Sequence, residues 1–267
     1  MLKIEGLTKK YGGKCAVDNL SLEIAEGEIC GFIGHNGAGK TTTIKAVCGI
    51  LRFESGEIYI GGKSVKKAPM ECKRMTAYVP DNPDIYDFLS GIKYLNFIAD
   101  VYGIGASERQ QRIRQYADML ELTADLASPV SAYSHGMRQK LALMAALIHE
   151  PRFMVLDEPF VGLDPKASRT VKDIMRRKCD DGGAVFFSTH VLEVAEKLCD
   201  KVAIIKSGRL VAYGDMDTVR GDSSLETAFF ELEGEHPALE GGHPGHGTEG
   251  HGPEAPVRGS KGEGNDD

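Results

Sequence analysis

The octapeptide Gly34-His35-Asn36-Gly37-Ala38-Gly39-Lys40-Thr41 fits the pattern G-x-x-x-x-G-K-[ST]. Glycines at this spacing let successive backbone N–H groups turn toward a phosphate without Cβ clashes. Lys40 supplies a cation for β- and γ-phosphates, and Thr41 offers a hydroxyl to Mg²⁺. The apolar run Ile29–Ile33 precedes the loop, and a helical run over 42–50, starting at Thr42, follows it. The N-terminus of that helix adds its partial positive charge to the phosphate site. A second candidate is Phe153-Met154-Val155-Leu156-Asp157-Glu158-Pro159, an apolar strand ending in two acids. An acid at the C-terminal end of a buried strand points into the cleft where α/β sheets bind ligands. Asp157 can share the Mg²⁺ with Thr41, and Glu158, facing another way, can accept a proton from an attacking water. His190 ends a third apolar run and can hydrogen-bond a γ-phosphate. Acids and histidines at strand ends are commonly structural; it is the phosphate loop in the same chain that favours chemistry here.

These residues need strands and helices in alternation to bring them together. Short apolar runs at 29–33, 153–156 and 184–187 read as buried parallel strands. Residues 2–7 and 20–24 alternate with the strand period, and 57–65 reads as a hairpin turning at Gly61-Gly62. A second hairpin spans 201–213, with its turn at Ser207-Gly208. Between about 91 and 149 the period becomes helical: Ser107-Glu108-Arg109-Gln110 fits a capping box, and Ile113, Tyr116, Ala117 and Leu120 share one apolar face. Asp164 followed by Pro165 predicts an N-cap and first turn. The fold expected is an α/β core with antiparallel strands along one edge, interrupted by a helical insertion.

Of 267 residues, 42% are hydrophobic and 27% charged, with a net charge of -7. Residues 234–267 hold 10 Gly, 4 Pro, 4 His (His236, His243, His246, His251), 7 acids and 2 bases. Such a segment cannot bury enough surface to offset its ordering entropy, so a disordered tail is expected. It carries most of the negative charge and leaves the body, 1–233, near neutral. The balance gives no basic stripe for nucleic acid. No run approaches a membrane span, and the start lacks a signal-peptide pattern. The six cysteines form no C-x-x-C pair and read as reduced core residues.

The run Tyr133-Ser134-His135-Gly136-Met137-Arg138-Gln139-Lys140 resembles the signature, usually written L-S-G-G-Q, of the ATP-binding subunits of ABC transporters. Ser134 and Gly136 match it; His135 replaces the first Gly and Met137 the Gln, as also occurs in the ABC-2-type export branch. Gly162-Leu163-Asp164 resembles the family's D-loop, His190 its switch histidine, and Tyr11 the aromatic residue that stacks on adenine. The stretch 225–232 resembles the short terminal helix of many single-domain subunits.

Extending over about 1–232, the resemblance implies a RecA-like P-loop NTPase core that binds ATP and Mg²⁺. ATP would be held by Tyr11, Gly34, His35, Asn36, Gly37, Ala38, Gly39, Lys40, Thr41 and Thr42, and Mg²⁺ by Thr41 and Asp157. Glu158 and His190 would be catalytic. Ser134, His135 and Gly136 would face the ATP of a second subunit, with Asp164 in the D-loop. The partners implied are that second ATP-binding subunit, in a homo- or heterodimer, and a membrane permease encoded as a separate chain. Together they place the protein at the cytoplasmic face of the membrane, in an exporter. One departure stands out: after Ala77-Tyr78-Val79-Pro80 the family has a Gln, and here it is Asp81, a further metal contact that adds negative charge beside Asp157 and Glu158. A soluble ATPase of the same type, acting as an assembly or regulatory factor, would share these motifs. However, the chain has one phosphate loop and no room for the long coiled coils of repair ATPases.

Overall fold

Alternation of apolar and polar residues, broken by register shifts after Ile4, builds the first two strands of the computed structural model, which describes residues 1–233. β1 (Leu2–Tyr11) and β2 (Lys14–Ile24) pair antiparallel and turn Leu2, Ile4 and Leu7 to the same buried side as Leu20, Leu22 and Ile24. β3 (Ile29–Ile33) is buried at every position and runs through the phosphate loop into α1 (Lys40–Val47). β4 (Ser55–Ile60) and β5 (Lys63–Ser64) form the glycine-turned hairpin. β4 also pairs with β1, giving a four-stranded antiparallel sheet in the order β2-β1-β4-β5. The glycine-rich segment 234–267, with its four histidines, lies outside the described residues.

After α2 (Pro69–Met75) and β6 (Thr76–Val79), the chain leaves the sheet for a helical block. α3 (Gly91–Val101), α4 (Ala106–Met119) and α5 (His135–Leu147) pack on one another, with Leu95, Ile113, Ala117, Leu141 and Met144 buried among them. It then returns as β7 (Phe153–Asp157), α6 (Pro165–Asp180), β8 (Ala184–Thr189), α7 (Leu192–Leu198), β9 (Lys201–Lys206) and β10 (Arg209–Asp215). α8 (Met216–Arg220) and α9 (Leu225–Glu233) follow. The second sheet has the order β10-β9-β3-β8-β7-β6, parallel throughout except for the edge strand β10.

The two-residue period of this sheet sends its side chains into two separate cores. Ile29, Ile33, Met154, Leu156, Val185 and Phe187 face α5 and α6. Cys30, Phe32, Phe153, Val155 and Phe186 face α1 and the antiparallel sheet. A sheet covered on both faces explains why its strands read as continuous apolar runs. The cysteines are all free, five of them buried.

Two helix starts and ends differ from expectation. α1 stops at Val47 rather than Ile50, because Gly49 takes φ +64° and turns the chain away, leaving Ile50 exposed. Ser107 caps nothing: α4 begins at Ala106 after Gly105, and its N-cap has no side-chain hydrogen bond. The start is fixed upstream, where Ile104 is buried and its carbonyl accepts from the Arg109 guanidinium at 3.0 Å.

Candidate functional site

The C-terminal ends of β3, β6, β7 and β9 open into one cleft of about 410 Å³. Its walls include Tyr11, Cys15, His35, Asn36, Gly37, Gly39, Lys40, Thr41, Thr42, Asp81, Asp157, Glu158 and Ser207. The loop after β3 is pressed so closely on its surroundings that two glycines are obligatory. A Cβ on Gly34 would lie 2.4 Å from the Ile205 carbonyl; on Gly39, at φ +114°, it would lie 2.6 Å from the Ala16 carbonyl. Ala38 is buried beneath the loop, and its carbonyl accepts from Gly208 N–H at 2.8 Å. The Gly208 carbonyl in turn accepts from Asp18 N–H at 2.8 Å, so the β9–β10 turn ties the loop to β2.

Lys40 is the first residue of α1, 7% exposed. Its ammonium donates to the Gly34 carbonyl at 2.5 Å and the His35 carbonyl at 3.3 Å, and lies 3.8 Å from Glu158 Oε1. Burial lowers its pKa, an effect opposed by the Glu158 and Asp157 charges. A cation so placed, among backbone acceptors it can exchange, suits a phosphate.

At the end of β7, Asp157 is 2% exposed and accepts from the Ser188 hydroxyl at 2.5 Å. Ser188 Oγ also accepts from Glu158 N–H at 3.0 Å, so one buried hydroxyl on β8 holds both acidic residues. Glu158 has φ +49°, a left-handed conformation that side chains disfavour. The reversal separates the two carboxylates: Asp157 stays buried, while Glu158 reaches His190 Nδ1 at 3.0 Å through Oε2. His190, just past the end of β8, does not line the cleft directly; it touches the site through Glu158. Lys40, Glu158 and His190 thus form one connected row.

The signature-like residues lie elsewhere and do not line this cleft. Ser134 is the N-cap of α5, its hydroxyl accepting from Met137 N–H at 3.3 Å. His135 packs on Gly162, whose added Cβ would meet the imidazole at 2.3 Å, and Gly136 lies against the Gly162 carbonyl. Asp164 caps α6 through Ala167 N–H at 2.8 Å and pairs with Lys140 at 3.2 Å. Those two contacts, the backbone bond first, lower the pKa of its carboxyl group. Signature and D-loop therefore form a single unit within the chain.

Sequence reasoning missed Ser188, Cys15 and Ser207. For Ser188 the sequence offered only a hydroxyl where the apolar run of β8 gives way to Ser188-Thr189, with nothing to pair it with Asp157; for Ser207 and Cys15, which enter the wall through tertiary packing, there was no signal. Tyr11 stands at the far end of the cleft, 51% exposed, with the Lys9 ammonium 5.1 Å from its ring centre.

The donor set fits Mg²⁺. Thr41, Asp157 and Asp81 line the same cleft and offer oxygen ligands, and among the described residues no three His, Cys, Asp or Glu side chains form a metal cage. Mg²⁺ typically takes one or two carboxylates together with substrate phosphates.

A parallel sheet carrying a glycine-rich loop, a buried lysine and paired acids at its strand ends defines a P-loop ATPase. Residues 17–161 match the ABC transporter family, and the chain belongs to that family as one of its ATP-binding proteins, an ABC-type ATPase. A Bacillus subtilis protein described as the uncharacterized ABC transporter ATP-binding protein YhcH is 36% identical over 237 residues, 87% of this chain and 75% of that protein. The linearmycin resistance ATP-binding protein LnrL of the same organism is 32% identical over 214 residues, 80% and 69% of the two chains. A solved structure of the ATP-binding subunit of an ABC transporter superposes with a TM-score of 0.83 at 32% identity, covering 87% of this chain and 99% of that one.

Proposed function

We propose that this chain is the Mg²⁺-dependent ATP-hydrolysing subunit of an exporter whose membrane permease is a separate chain. The row Lys40–Glu158–His190, at 3.8 and 3.0 Å, carries the reading. In it, Tyr11 stacks on the base, residues 34–42 wrap the phosphates, and Lys40 exchanges its loop carbonyls for phosphate oxygens. Glu158 takes a proton from water as the water oxygen bonds to the γ-phosphorus; the bond from phosphorus to the bridging oxygen breaks, and ADP leaves with that electron pair. His190 keeps the Glu158 carboxylate oriented and Ser188 fixes Asp157. Mg²⁺, which Thr41 and Asp157 would hold with Asp81 in the same cleft, would neutralise charge on the phosphates.

Ser134, His135 and Gly136, with the N-terminus of α5 behind them, would face the ATP of a second copy or a homologous subunit, beside Asp164. A dimer would then complete each site. We assign the ATPase domain to 1–233, with 91–149 as its helical subdomain. Support for a permease comes from the loop after Asp81 and the adjoining α3, where Tyr86 (54% exposed) lies with its ring centre 5.7 Å from Phe88 (81%) and 6.3 Å from Phe97 of α3 (46%). Exposed aromatic clusters of this kind mark interaction surfaces. Among the described residues no helix is long and apolar enough to cross a membrane, so attachment through a permease is consistent with the chain. Kinship with a resistance protein supports outward transport.

Co-expression with a candidate permease, followed by fractionation, tests this reading. The chain should sediment with membranes only when the permease is present, and its ATPase rate should change in the complex. Exclusive recovery on ribosomes or DNA would overturn the transporter assignment.

A further inference from the structure

We propose that Phe229, on the C-terminal helix, is a positioning residue for the phosphate loop, acting through the ring of His35. The inference rests on the loop being the ATP site, and adds to it an element nearly two hundred residues away in the chain.

α9 is held by one apolar face. Leu225, Ala228 and Phe229 recur at i, i+3 and i+4 and are all buried. Ser224 caps the helix, its hydroxyl accepting from Thr227 N–H at 3.1 Å. Seated this way, the helix brings the Phe229 ring edge-on to His35, with centres 5.2 Å apart and planes at 63°. Phe230 braces Phe229 at 5.9 Å and 73°. Such edge-to-face pairs attract beyond the area they bury.

His35 is the corner of the loop. On one side its neighbour Gly34 is packed against Ile205 of β9 with no room for a methyl group. The His35 carbonyl accepts from Lys40 at 3.3 Å and from Ala38 N–H at 3.1 Å. Any displacement of His35 therefore moves the loop N–H groups and the rest position of the Lys40 ammonium. Beside this corner lies a cleft of about 390 Å³ between Gly34, His35, His190, Leu192 and α9. Truncating Phe229 would enlarge it and let the loop relax outward, away from the geometry that fits phosphate. Of the residues around this cleft, His190 bonds Glu158 at 3.0 Å; the Phe229 ring packs instead on His35 and Phe230, so truncating it leaves the Glu158–His190 pair in place and turnover at saturating ATP should be preserved.

The test is steady-state ATP hydrolysis by the full chain with Mg²⁺, at temperatures where melting curves show each variant folded. Phe229→Ala should raise KM for ATP by about 3- to 10-fold, the size of one aromatic pair, with kcat within about 2-fold. Phe229→Leu, which keeps apolar bulk, should raise KM as well, and Phe229→Tyr should restore it. Leu225→Ala, on the same buried face, should lower the melting temperature and leave KM unchanged. Adding Phe229→Ala to His35→Ala should produce no further rise. A wild-type KM in Phe229→Leu, or an equal KM rise in Leu225→Ala, would overturn the positioning role. Absence of ATP hydrolysis by the wild-type chain would instead overturn the site assignment itself.

Discussion

Glu158 sits in a left-handed backbone conformation with its N–H bonded to Ser188 and its carboxylate between Lys40 and His190. That strain costs about 1 kcal/mol or more, and its structural consequence is visible: two adjacent acids face two directions. Ser188 is the residue that makes this possible. Removing its hydroxyl would leave a buried carboxylate without a donor, a loss of ~1.5–3 kcal/mol. We therefore expect Ser188→Ala to lower unfolding free energy by about 2 kcal/mol in a urea titration and to reduce kcat more than ATP affinity. Unchanged stability and rate would show that Asp157 is held some other way. The acids were legible in the sequence because residue type and strand end coincide; Ser188 was not, because its role depends on a neighbouring strand in register, Asp157 opposite Ser188.

At the scale of elements, the parallel strands deliver the central groups to one edge; β3, β7 and β8 were readable from continuous apolarity, whereas β9 read as one arm of a hairpin and its parallel pairing with β3 came from the fold. Asp164 was readable as an N-cap, since an acceptor followed by proline is a local signal. The capping box at Ser107 failed because the buried side chain of Ile104, just before the helix, and the bond from Arg109 to its carbonyl outweighed a local motif. The helical block is anchored to the core at the end of α5. There His149 stacks on Tyr102 with centres 3.8 Å apart and planes at 10°. Burial, helped by the Arg112 and Lys178 charges, lowers the His149 pKa to about 4. Because the folded state disfavours the proton, stability is fully present above about pH 6.5, the unfolded value, and is lost as pH falls toward 4. Melting temperature should therefore drop between pH 7 and 5, and drop less in His149→Phe. Parallel pH profiles for the two proteins would contradict that assignment.

Among the described residues as a whole, the two elements proposed to meet phosphate lie apart: the loop with Lys40, and the unit of signature and D-loop locked by His135 on Gly162 and Lys140 on Asp164. Both were legible as motifs. Their separation in one chain was implied by the family resemblance, and in the fold neither Ser134 nor Asp164 lines the cleft. The contact between α9 and the loop was invisible in the sequence, because nothing local links Phe229 to His35. The proposed completion of the site by a second chain would account for a signature unit that stands away from Lys40. The most direct measurement is ATP binding and hydrolysis by Glu158→Gln, with mass determined by light scattering. ATP affinity should stay within about 3-fold of wild type while turnover falls ~10²- to 10⁴-fold, the range for loss of a general base, and an ATP-dependent dimer should accumulate. Near-normal turnover in that variant would contradict Glu158 as the base that activates water.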